Sequence, residues 1–212
     1  MARAFVIALL GAESTGKTTL AETLAQALRA AGRRVAVVPE YLREFCHAAG
    51  RTPRTDEQAG IAAEQTRRID AAAATHELVI ADTTALMIAV YSDQVFGDTT
   101  LYATAEAAHR AGVDLSLLTA LDLPWQADGL QRDGPQVREP VDARVRAALG
   151  RAGVGYSVVS GAGPARCAAA LACIERALNP PVAPGPEAPR WAWHCERCGD
   201  AGCERHRLLP RL

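Results

Sequence analysis

Ala4-Phe5-Val6-Ile7-Ala8-Leu9-Leu10, followed without a break by Gly11-Ala12-Glu13-Ser14-Thr15-Gly16-Lys17-Thr18, is the stretch that decides the fold. The apolar run reads as a buried strand, and the next eight residues fit G-x-x-x-x-G-K-[ST] in full. A helical pattern, Lys17–Ala31 with Gly32 as its stop, follows directly. That order is what phosphate binding needs. Successive loop N–H groups and the helix N-terminus converge on phosphate oxygens, a lysine reaches the β/γ-phosphates, and a hydroxyl holds Mg²⁺. Gly11, Glu13, Ser14, Thr15, Gly16, Lys17, Thr18 and Thr19 are therefore the expected nucleotide contacts. A plain glycine turn between strand and helix would not call for the intact motif.

Outward from this segment, strand and helix signals alternate, which predicts a parallel sheet covered by helices in three layers. Strands are expected at Val35–Val38, Leu78–Ala81, Ser116–Leu121 and Ser157–Val159. Helices are expected over Thr55–Ala74, Ala85–Gln94, Pro140–Leu149 and Pro164–Leu178. Residues 1–178 form the expected catalytic domain. Residues 179–190 hold five prolines and read as an extended linker, and 191–212 form a Cys/His-rich tail.

Composition excludes several classes. In 212 residues, 23 basic and 24 acidic side chains give a net charge of −1, which argues against a broad nucleic-acid surface. The longest apolar run, Ala4 to Ala12, is under half of the roughly 20 residues that span a bilayer, so no membrane helix is expected. It leads into Glu13 rather than a small-residue cleavage site, which argues against a signal peptide. Of the basic residues 22 are arginine and one is lysine, and that one is Lys17. A compact ammonium fits the loop where a planar guanidinium would not. A guanine-type N-K-x-D motif needs a second lysine and is excluded.

Two carboxylates stand at strand ends, where open α/β sheets bind ligands. Asp82 follows Leu78–Ala81 and reads as a Mg²⁺ partner or, alternatively, as the N-cap of the next helix. Glu40 follows Val35–Val38 and Pro39, positioned to take a proton from an acceptor hydroxyl or to sit in a helix first turn. We prefer Glu40 for the acceptor and Asp82 for the metal.

Four pieces, in this order and spacing, resemble the ribosylnicotinamide kinase domain of NadR-type proteins, within the AAA-like group of small P-loop phosphotransferases. They are Gly11-Ala12-Glu13-Ser14-Thr15-Gly16-Lys17-Thr18-Thr19-Leu20-Ala21, Glu40-Tyr41-Leu42-Arg43-Glu44-Phe45, Ile80-Ala81-Asp82-Thr83, and Leu123-Pro124-Trp125-Gln126-Ala127-Asp128-Gly129-Leu130. The resemblance covers about residues 4–178 and implies transfer of the ATP γ-phosphoryl group to the 5′-hydroxyl of nicotinamide riboside. Gln65 is a weaker match. No H-x-G-H motif occurs, so only the kinase step is implied, and the family's frequent D-T-D is here Asp82-Thr83-Thr84.

Pro124–Arg138 is polar and Gly/Pro-containing, the composition of a lid over phosphates. Its Arg132 and Arg138 are candidates to stabilise charge on the transferred group, with solvated surface arginines as the plain alternative. Trp125 suits either a stacked ring or a packed core, and Tyr41, Arg43 and Asp128 are candidates to bind ribose or amide groups. In the tail, Cys195-x2-Cys198-x4-Cys203-x2-His206 predicts a structural zinc site whose metal supplies the folding energy. The isolated Cys46, Cys167 and Cys173 fit a reducing cytoplasm. The tail's small basic excess leaves a lid contact, a homo-oligomer contact or another partner open. The expectation is an α/β kinase of a small nucleoside-like substrate using ATP and Mg²⁺. A deoxynucleoside kinase and a regulatory ATPase acting through the tail are the alternatives.

Overall fold

Five parallel strands form one sheet in the order β2-β3-β1-β4-β5: β1 (Phe5–Leu10), β2 (Val35–Val38), β3 (Leu78–Asp82), β4 (Leu115–Thr119) and β5 (Tyr156–Val159). The structure is a computed structural model that describes residues 3–126 and 134–180. The chain divides into two units, Met1–Asn179, which holds the sheet, and Pro180–Leu212. Asp128 and Arg132, most of the Pro-rich linker, and the zinc candidates Cys195, Cys198, Cys203 and His206 lie outside the described residues.

Seven helices join the strands among the described residues: α1 (Lys17–Ala30), α2 (Tyr41–Ala49), α3 (Gln58–Ala73), α4 (Ala85–Phe96), α5 (Tyr102–Gly112), α6 (Arg138–Ala152) and α7 (Gly163–Leu178). Alternation along β1 explains the three layers. Ile7 and Leu9 point to one face, where Leu20, Leu24 and Leu28 of α1 and Ala170 and Ile174 of α7 cover them. Ala8 and Leu10 point to the other, against α3, α4 and α6. Both faces are closed, so every residue of β3 is buried and the strand reads as a continuous apolar run ending in Asp82.

All five expected strands form, each within one or two residues of the predicted bounds. Two helices have no forecast counterpart, α2 and α5. The Ala-rich segment of α5 has a thin apolar stripe, only Ala105 and His109 being buried, which is why periodicity missed it. The expected helix over 55–74 is a single 3-10 turn at Thr55–Glu57 leading into α3. There Glu57 accepts from the Arg54 N–H at 2.7 Å and draws in Arg51. Among the described residues no helix is long and apolar enough to cross a membrane.

Candidate active site

The loop Gly11–Thr18 links β1 to α1, and two of its glycines are dictated by backbone geometry. Gly11 has φ +143°, and a Cβ there would lie 2.2 Å from Thr119 Oγ1. Gly16 has φ +74° at the N-cap of α1. Buried hydroxyls brace the turn: Thr119 donates to Thr15 Oγ1 at 2.7 Å, and Thr15 donates to the Ala12 carbonyl at 2.7 Å. Arg166, from α7, donates to the Thr15 carbonyl at 2.8 Å and pairs with Asp122 at 3.1 Å. Lys17 lies across the loop, its Nζ donating to the carbonyls of Gly11 and Ala12 at 2.9 Å each.

The register Leu9↔Asp82 sets β3 beside the strand that feeds the loop. The Thr18 hydroxyl consequently donates to Asp82 Oδ2 at 2.5 Å. Asp82 Oδ1 is buried without a hydrogen-bond partner. The helix cap proposed for Asp82 belongs instead to Thr84, whose Oγ1 accepts from the Leu86 N–H at 3.3 Å. A buried carboxylate oxygen without a donor, beside a hydroxyl that already orients its twin, suits a divalent cation that takes oxygen ligands. Among the described residues no group of three or more His, Cys, Asp or Glu could hold a metal ion. Thr18 and Asp82 are thus a site that phosphate oxygens and water would complete, as Mg²⁺ sites commonly are.

Across the hollow, Glu40 stands at the N-cap position of α2 but makes no capping hydrogen bond. Arg43 donates to its Oε2 at 3.2 Å. Burial holds the Glu40 carboxyl above the ordinary carboxylate range; Lys17 pulls the other way, Asp82 adds to the rise, and Arg43 opposes it. A carboxyl raised in this way can take up a proton. Glu40 and Thr18 line both a cleft of about 460 Å³ and an adjoining hollow of about 540 Å³ that Asp82 also lines.

Gln65 fixes Glu40 from behind. Fully buried, its Oε1 accepts from the Tyr41 N–H at 2.8 Å, and its Nε2 donates to the carbonyls of Pro39 at 3.3 Å and Thr83 at 3.4 Å. One amide thus holds the residues on both sides of Glu40 and the residue after Asp82. Thr83 has φ +83°, a costly conformation for a β-branched residue, and its buried Oγ1 has no partner.

The expected residues separate into groups. Seven of the eight loop residues line the cleft, together with Glu40 and Arg43, while Gly11 contributes through its carbonyl. Tyr41 and Trp125 do not line it. The Tyr41 ring packs under Arg68, whose guanidinium carbon lies 4.4 Å from the ring centroid. Trp125 donates its indole N–H to Glu13 Oε1 at 3.1 Å, the Gly134 N–H reaches the same oxygen at 3.2 Å, and the Gln126 N–H reaches Ser14 Oγ at 2.7 Å. Arg138 opens α6, buried, with Nε and Nη2 lacking partners, and is likewise not among the cleft residues.

Sequence reasoning missed Thr83 and the outer cleft residues Gln58, Met87, Tyr91 and Phe96. A signal for the glutamine exists. Gln58, Ile61, Ala62, Gln65 and Ile69 share the buried stripe of α3, so two amides interrupt an apolar face.

Comparison with known proteins agrees with this fold. A family model described as AAA domain matches residues 6–166. No curated protein matches the sequence. Among solved structures, NadR protein in complex with NR aligns with a TM-score of 0.66 at 19% identity, and NadR protein in complex with NAD and AMP-PNP with 0.62 at 19%. Each alignment covers 90% of this chain and 52% of the NadR chain, so the chain spans about half of those proteins. Thymidylate kinase from Ehrlichia chaffeensis aligns with a TM-score of 0.54 at 14% identity, over 82% of this chain and 100% of that one. The three share the fold of this chain.

Proposed function

The chain belongs to the AAA domain family, and on that premise we propose that it is an ATP-dependent kinase of a small nucleoside-like acceptor, nicotinamide riboside foremost. The observation that carries the reading is the juxtaposition at the loop mouth. Thr18 is bonded to Asp82, the other Asp82 oxygen is unpartnered, and Glu40 faces the same hollow. The fold shared with NadR bound to NR, and the motifs around Glu40 and Asp82, support the acceptor.

In this mechanism the loop N–H groups and Lys17 hold the β/γ-phosphates, and Thr18 and Asp82 would hold Mg²⁺. When bound, the cation neutralises charge on the phosphate oxygens. Glu40 orients the acceptor hydroxyl and accepts its proton as the oxygen bonds to the γ-phosphorus and the bond to ADP breaks. Arg43 keeps Glu40 in place. Arg138, together with Arg132, is assigned to the charge on the transferred group, since a buried guanidinium without a partner seeks an anion.

We extend the proposal to the chain's organisation: residues 1–178 as the kinase, 179–190 as linker, and 191–212 as a tail folded by zinc on Cys195, Cys198, Cys203 and His206, in a cytoplasmic protein. Metal analysis of protein made without a histidine tag should find about one zinc per chain, and Cys198→Ser should lose it. An acceptor panel that follows ADP formation tests the activity. ADP release stimulated by nicotinamide riboside is expected. Stimulation by a deoxynucleoside alone would reassign the acceptor, and hydrolysis indifferent to every acceptor would replace the kinase with a regulatory ATPase.

A further inference from the structure

Beyond the loop residues, the cleft is lined by the apolar side chains Leu42, Pro53, Met87, Tyr91 and Phe96, and by one amide, Gln58. Gln58 opens α3, is 4% exposed, and its Oε1 is buried without a hydrogen-bond partner. Gln65, seven residues on and on the same face, has its carboxamide oxygen and nitrogen both engaged. Buried polar atoms in native folds are almost always satisfied, so an orphan lining a cleft asks for a ligand group.

Length and charge narrow that ligand. Gln65 touches Thr83 at the reacting end, and two helical turns, about 10 Å of rise, separate it from Gln58. A nucleoside spans such a distance from its 5′-hydroxyl to the far edge of its ring. The cations lining the cleft are Lys17 and Arg43, and both stand at the phosphate end, Arg43 already on Glu40. A carboxylate on the ring would therefore lie against the buried Met87 and Gln58 with no counter-charge, whereas a neutral amide would meet a complementary amide.

We propose that Gln58 is the specificity determinant of the acceptor pocket, selecting a riboside whose heteroaromatic ring carries a neutral carboxamide over the same ring carrying a carboxylate. This rests on the kinase reading above. Gln58 touches neither the reacting oxygen nor ATP. Its role is recognition of the ring substituent, and the apolar lining supplies the ring's contact area.

The test compares nicotinamide riboside, nicotinic acid riboside and a pyridinium riboside without the carboxamide, using the full chain with ATP and Mg²⁺. Wild-type protein should favour the amide by about tenfold or more in kcat/KM, the range that one unsatisfied buried polar group imposes. Gln58→Met keeps length and volume; it should lower kcat/KM for the amide by about ten- to a hundredfold and bring the three ribosides close together, with KM for ATP unchanged. Equal wild-type rates on amide and acid, or a Gln58→Met enzyme that keeps the wild-type preference, overturns the proposal. Should Gln58→Met fail to fold, the pyridinium riboside makes the same deletion from the substrate side, and wild-type rates on it equal to those on the amide overturn it too. If no riboside is phosphorylated, calorimetry separates the claims. Amide riboside binding that exceeds acid riboside binding sustains the pocket and removes the kinase reading, and failure of the amide to bind removes both.

Discussion

Gln65→Ala is the perturbation that tests most directly how the fold delivers its carboxylates. The substitution removes three hydrogen bonds from a fully buried site, one at 2.8 Å and two at 3.3 and 3.4 Å. A well-formed bond of this kind contributes about 1 kcal/mol net, the longer two less, and each deleted partner leaves a buried backbone group to be rehydrated at about 1–3 kcal/mol. Partial rescue by water entering the vacated space brings the expected loss to about 2–4 kcal/mol. For a unit of this size that is a fall in Tm of roughly 5–15 °C. Catalysis should suffer separately, because Pro39 and Tyr41 flank Glu40 and a misplacement of about 1 Å at a reacting group costs up to a hundredfold. The expected result is a kcat lowered by about ten- to a hundredfold at a KM for ATP close to wild type, since the Lys17 loop contacts are untouched. Gln65→Glu keeps an acceptor for the Tyr41 N–H but loses the two donations, and should fall between. Calorimetric melting and steady-state kinetics on the same preparations decide it. An unaltered Tm with unaltered kcat would refute the claim that this amide positions Glu40.

Lys17→Ala should abolish phosphoryl transfer while circular dichroism stays near wild type, because the carbonyls of Gly11 and Ala12 that Lys17 bonds belong to its own loop and no element of the sheet depends on them. Glu40→Gln should lower kcat far more than it weakens ATP binding, and should remove the limb of the pH–rate profile on which activity rises through a value above 4.5. The stability effect has a definite sign. Folding raises the Glu40 pKa, so its stabilising contribution is complete below about pH 4.5 and is lost as pH rises through the folded value; Glu40→Gln should therefore melt higher than wild type at pH 7 and equally at pH 4. His109 behaves oppositely. Burial lowers its pKa from 6.5 to about 4, so the stability of its neutral form is present above pH 6.5 and is lost as pH falls through about 4. His109→Gln should flatten that acid limb, which is worth about 3 kcal/mol, in urea titrations at stepped pH.

The sheet and the loop were legible because each rests on local physics. An apolar run that ends in a carboxylate, or in a glycine-bounded motif, reads the same whatever packs around it. Asp82 and Glu40 could be placed at strand ends by that reasoning alone, and the pairing of Asp82 with Thr18 followed once β3 was set beside β1. What the sequence hid was anything decided by contact across elements. Trp125 offers no local hint that its indole N–H is taken by Glu13, and Tyr41 none that Arg68 lies over its ring. Gln58 and Gln65 were readable only as polar interruptions of an apolar helical stripe, a pattern that does not say which of the two is satisfied by protein and which faces a cleft. Thr83 was invisible, because a positive φ on a threonine is imposed by tertiary structure against the residue's own preference.

The position of Lys17 has a practical consequence. Every other side-chain cation of this chain, histidines aside, is a guanidinium, so the sole ε-amine lies within the nucleotide cleft, half-buried on the loop carbonyls. Among the side chains of this sequence, amine-selective acylating reagents that spare guanidinium groups meet this one ε-amine. The chain thus carries a built-in footprinting probe: protection of a single peptide in mass spectrometry reports occupancy of the phosphate site directly, on unmutated protein. It also means that enzymatic or chemical acylation of lysine has no harmless destination here. Any such event strikes the Gly11–Thr18 loop, and if the chain is the proposed kinase the modified fraction of a sample should equal its inactive fraction.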